Sequence, residues 1–61
     1  MYEKFQNLLN EKGIRVSKVA EVTKISPSTF SDWKCGRSIP KLEKLKKLAD
    51  FFGVTVDYFI S

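Results

Sequence analysis

Apolar side chains recur along the chain at three- and four-residue intervals, the period of a helix face. Tyr2, Phe5, Leu8 and Leu9, with the stem of Lys12, mark one face of a first helix, and Lys12 followed by Gly13 is a stop signal. Val16, Val19, Ala20 and Thr23 lie on one face of a short second helix, with Lys24 and Ile25 as a turn. Ser26 is a good N-cap and Pro27 suits the first position of a third helix. Phe30 and Trp33, three apart, point inward from that helix, and Gly36 ends it. The stretch from Arg37 to Pro40 reads as a loop, because Pro40 disfavours helix at Ile39. Leu42, Leu45, Leu48, Ala49 and Phe52 then draw an amphipathic stripe that Gly53 closes. Thr55 caps a last short helix running through Ile60, with Val56 and Phe59 facing in. Val54 to Val56 is β-branched but too short for a strand and lacks a partner. The pattern predicts a compact all-α domain of five helices.

The middle of this pattern is a helix-turn-helix: a helix over about Val16–Thr23, a tight turn, and a helix over Pro27–Cys35. Small or apolar residues are needed where the two helices cross, and Ala20, Ile25 and Phe30 meet that need. Phe30 and Trp33 anchor the second of them, leaving Ser28, Ser31, Asp32 and Cys35 outward. A helix that enters the major groove needs such an outer face, polar and free of bulky apolar groups.

Length sets the scale. The 61 residues make one domain, 1–61, that buries only about 60% of its unfolded surface. A single cysteine rules out an intrachain disulfide. The lack of histidine removes Cys/His zinc sites and histidine triads. No metal, cofactor or catalytic activity is expected, and no nucleophile with a positioned base stands out. No apolar run approaches a membrane span, and Met1–Phe5 does not open a signal peptide, so the expected location is the cytoplasm. Cys35 reads as an inert thiol at a helix end.

Charge changes the picture more. The chain carries +4 overall, but residues 34–47 alone carry +5, from Lys34, Arg37, Lys41, Lys44, Lys46 and Lys47 against Glu43. Residues 1–33 carry +1 and residues 48–61 carry −2. By charge alone such a cluster is equally a solvated lysine-rich helix face or the footprint of a polyanionic partner, nucleic acid or anionic membrane, and the rest of the chain must decide.

Together, Val19 and Ala20, Ile25 and Ser26, Ser28 to Phe30, the Trp33-to-Gly36 spacing, Pro40, and the run from Leu42 to Asp57 resemble the lambda-repressor-like, Cro/cI-type helix-turn-helix family. The resemblance covers essentially the whole chain. It implies a five-helix domain with the motif formed by helices 2 and 3. It also implies a sequence-specific regulator, usually a repressor of phage or bacterial type, that binds double-stranded DNA at a palindromic operator as a homodimer. Carried over position by position, it places base contacts at Pro27, Ser28 and Asp32, and Ser31 lies nearby as a further candidate. Ser28 can donate or accept at a base edge, Asp32 can accept from a cytosine amino group, and Pro27 can touch a thymine methyl. Ser17, Lys18, Thr29, Arg37, Lys41 and Lys44 are the expected phosphate contacts. Phe51, Tyr58 and Ile60 fall off the inward stripes and suggest a self-association surface.

Four positions depart from the family pattern. Val16 replaces a phosphate-clamping glutamine, Lys24 replaces a turn glycine, and Leu9 with Lys34 replaces an arginine–glutamate pair. A contrasting reading is a protein-interaction or antitoxin-like module with weak or no DNA specificity, which would bind protein tightly and DNA with little salt dependence. An RNA-binding reading lacks a glycine-rich clamp or an aromatic strand platform.

Overall fold

The computed structural model describes residues 1–60. Its helices are α1 (Tyr2–Lys12), α2 (Val16–Thr23), α3 (Pro27–Cys35), α4 (Leu42–Phe52) and α5 (Val56–Ile60), and no strand forms among the described residues. α4 packs against α2 and α5, α1 against α5, and α2 against α3.

One apolar cluster joins them, and Phe5 sits at its centre, fully buried. Its ring stacks on Phe30 of α3 at 5.2 Å and meets Phe52 of α4 edge-on at 5.9 Å. Phe30 in turn meets Trp33 edge-on at 5.0 Å. Offset and edge-on pairs of this kind add about 0.5–1.5 kcal/mol each beyond area burial. The aromatic chain therefore does more than fill space, because it fixes the inner face of α3 against α1 and α4 and so sets which face of α3 looks out.

The helix ends show how local chemistry shapes the motif. At the end of α3, Gly36 adopts a left-handed conformation (φ 79°), and its N–H donates to the Trp33 carbonyl while that of Arg37 donates to Asp32. The ends of α1 and α4 close similarly, with Ile14 N–H donating to Leu9 O and Val54 N–H to Ala49 O. α2 ends differently. Among the described residues, Lys24 is the non-glycine residue with positive φ, at 64°. The buried Thr23 hydroxyl donates to the Val19 carbonyl at 2.7 Å and accepts from the Ile25 N–H at 3.4 Å. A side chain thus ties down the turn between the two helices of the motif.

Several expectations need correcting. Leu42 belongs to the α4 stripe by spacing, yet it is 70% exposed at the first position of the helix. Lys12 is likewise exposed rather than covering the core with its stem. Phe51 and Tyr58 are not left over: both are half-buried against the core, with Phe51 edge-on to Phe52 and Tyr58 edge-on to Phe59. Leu9 is buried in the core and Lys34 is exposed.

Candidate nucleic-acid interface

α3 presents the polar face that its spacing foretold. Pro27, Ser28 and Ser31 are exposed and Asp32 is half-exposed. The exposed large apolar residues, Val22, Ile39, Leu42 and Ile60, all lie off this helix. At its N-terminus the Ser26 hydroxyl accepts from the Ser28 N–H at 3.3 Å and shares a hydrogen bond with the Ser28 hydroxyl at 2.8 Å. The cap thus does two things: it satisfies a helix amide and restrains the side chain expected to meet a base. At the other end, Arg37 Nη1 donates to Asp32 Oδ1 at 3.2 Å.

On both sides of the motif, a helix begins with a cation and no side-chain cap. Arg15 is the N-cap of α2 and Lys41 the N-cap of α4, and neither helix start has a side-chain cap hydrogen bond. A positive charge there opposes the helix dipole, and the first amides lack intrahelical acceptors. Both costs become advantages when an anion binds. Ser17 and Lys18, in the first turn of α2, are exposed beside Arg15. Arg15 escaped the sequence reading, although a cation directly before a helical pattern, where Ser, Thr, Asp or Asn is favoured, is a legible signal. It stands next to Val16, which is half-buried against the core and holds the place of the family's clamping glutamine.

Three of the expected phosphate contacts converge. Thr29 of α3 and Lys41 and Lys44 at the start of α4 line one hollow of about 320 Å³, together with Trp33, Ser38, Ile39 and Glu43. Ser38, in the loop after α3, lines the same hollow, which spacing did not reveal. Glu43 brings a carboxylate into the same hollow and moderates its positive charge.

The residues expected to mediate self-association have different neighbours. Phe51 borders a groove of about 490 Å³ with Val22, Lys24 and Lys47. Tyr58 lies under Lys4 of α1, whose Nζ is 5.7 Å from the ring centre. Ile60 is 64% exposed.

A helix-turn-helix family model matches residues 5–59. The chain is 36% identical over 59 residues to the HTH-type transcriptional activator BcrR of Enterococcus faecalis, covering 97% of this chain and 29% of that protein. It is 39% identical over 54 residues to the HTH-type transcriptional regulator DdrOP3 of Deinococcus deserti, covering 88% of this chain and 42% of that protein. The chain therefore spans less than half the length of either relative. No solved structure is significantly similar to it.

Proposed function

As the chain belongs to the Cro/cI-type helix-turn-helix family, we propose that it is the DNA-binding domain of a transcriptional regulator, docking α3 in the major groove of double-stranded DNA. The observation that carries this reading is the arrangement around α3: a polar outer face, flanked by two uncapped helix starts whose N-cap residues are cations. In solvent, Arg15 and Lys41 at those positions oppose the helix dipole, whereas a phosphate backbone running past both helix starts turns that opposition into attraction.

Each group then has a role. Ser28 and Ser31, with Pro27 beside them, face the base edges. Lys41, Lys44 and Thr29 hold one phosphate at the start of α4, while Ser17, Lys18 and Arg15 hold another at the start of α2. Neutral serines discriminate weakly, so DNA shape contributes to specificity. Two copies meeting through Ile60 and the rims of Phe51 and Tyr58 would set two α3 helices about 34 Å apart, one turn of a palindromic site. The sign of regulation follows from where the site lies relative to a promoter: one relative is named an activator, and a domain bound across a polymerase site represses.

The test is selection of bound duplexes from a random pool at near-physiological salt. Enrichment of a two-fold symmetric site supports the reading and reports the dimer spacing. Binding without enrichment, or none, counts against groove reading and favours the protein-interaction module.

A further inference from the structure

By spacing alone, Asp32 and Arg37 are independent groups, one aimed at a base and the other at a phosphate. The fold makes them a unit. The left-handed turn at Gly36 and the Arg37 N–H bond to the Asp32 carbonyl, at 2.9 Å, reverse the chain at the end of α3. This reversal carries the Arg37 side chain back along the helix, where Nη1 donates to Asp32 Oδ1 at 3.2 Å. The side chains are 71% and 40% exposed respectively. An exposed pair of this kind adds little to stability, so its consequence is geometric. The contact uses one of the five guanidinium N–H groups and restrains the rest of the fork beside the outer face of α3. Asp32 alone would bring an unpaired negative charge toward DNA. Paired, that charge is compensated by the group best matched to guanine O6 and N7.

We propose that Asp32 is a positioning residue acting through Arg37, and that Arg37 reads a guanine edge in the major groove. The proposal rests on α3 being the groove-facing helix. It reassigns both residues: Arg37 from backbone anchor to base reader, and Asp32 from cytosine acceptor to the support of that reader.

The experiment is binding-site selection with the wild-type chain, followed by affinity for the selected duplex and its guanine-to-adenine variant at several salt concentrations. Wild type should prefer guanine at one position by about ten- to hundredfold. Arg37→Ala should abolish that preference, and Asp32→Ala should reduce it to a few-fold. Asp32→Asn keeps an acceptor for Nη1 and should recover most of it. In the Arg37→Ala background, Asp32→Ala should have no further effect at that position. Both side chains are exposed, so circular dichroism melts of the variants should match wild type.

The proposal is overturned if Arg37→Ala weakens all sequences equally and lowers the salt slope by about one, which is phosphate behaviour. It is also overturned if Asp32→Ala relaxes specificity as strongly without Arg37 as with it, since Asp32 would then read a base directly. A wild-type chain that enriches no sequence defeats groove reading itself, and this assignment with it.

Discussion

Replacing Thr23 by valine exchanges a hydroxyl for a methyl at nearly constant shape, in a residue 8% exposed. The loss falls on the turn of the motif. The Thr23 hydroxyl donates to Val19 O at 2.7 Å and accepts from Ile25 N–H at 3.4 Å. Ile25 is 2% exposed, so its amide would lose a partner in a place that water barely reaches. Leaving a buried donor unsatisfied costs about 1–3 kcal/mol. The 3.4 Å bond is long, and the added methyl is itself buried, so the lower half of that range, about 1–2 kcal/mol, is expected. At about 0.05–0.15 kcal/mol per residue, a chain of this size has roughly 3–9 kcal/mol in total. The substitution should therefore lower the melting temperature by about 5–15 °C. Thermal melts check that shift, and urea unfolding followed by the fluorescence of Trp33, the one tryptophan and a buried one, measures the free-energy loss directly. Thr23→Ser keeps the hydroxyl and should cost less than Thr23→Val. The reverse order, with valine as stable as wild type and serine weaker, would show that packing of the methyl matters and that the hydroxyl does not hold the turn.

Other expected outcomes follow from the same geometry. Lys24→Gly relieves a left-handed backbone that costs a side chain about 1–2 kcal/mol, against about 0.5–1 kcal/mol of added chain entropy; a rise in the urea midpoint checks it, and a fall would show that Lys24 makes a compensating contact. Phe5→Ala should cost about 3–5 kcal/mol, much of the whole stability, because Phe5 joins α1 to α3 and α4; a melt shifted by only a few degrees would contradict its central place. Lys41→Ala should reduce the slope of log affinity against log salt by about 0.9 and leave the preferred sequence unchanged; an altered preference would make Lys41 more than a phosphate contact. Burial raises the Tyr2 phenol above its ordinary 10.0. The unfolded chain therefore ionises first, and the neutral phenol's stabilising effect, intact below pH 10, is lost as pH rises through the folded value. Tyr2→Phe should lose less stability than wild type between neutral and alkaline pH, and equal losses would remove Tyr2 as the cause.

The five helices, their order and their ends were legible because they rest on local rules. Each stripe declares its period within one element, and Ser26, Pro27, Gly13, Gly36 and Gly53 act on their immediate neighbours. The polar face of α3 was legible for the same reason: once Phe30 and Trp33 turn inward, Ser28 and Ser31 must turn out. Periodicity names a face but not what covers it. Leu42 shares the stripe of Leu45 and Leu48 and still stands in solvent at the first position of α4, where the stripe runs out past the core. Phe51 and Tyr58 lie off their stripes and are nonetheless half-buried, because the core wraps around the ends of short helices.

Contacts that depend on chain reversal were hidden more deeply. The Thr23 hydroxyl closing the α2–α3 turn, Ser38 folded in beside Thr29 and Lys41, and Arg37 returning to Asp32 each require backbone dihedrals that spacing does not specify. The sequence alone determined which residues form helices and which face of α3 is polar, because local propensity and period suffice for that. Only the tertiary structure decided which charges share a space, because a contact between Arg37 and Asp32 exists only once Gly36 has turned the chain back on itself.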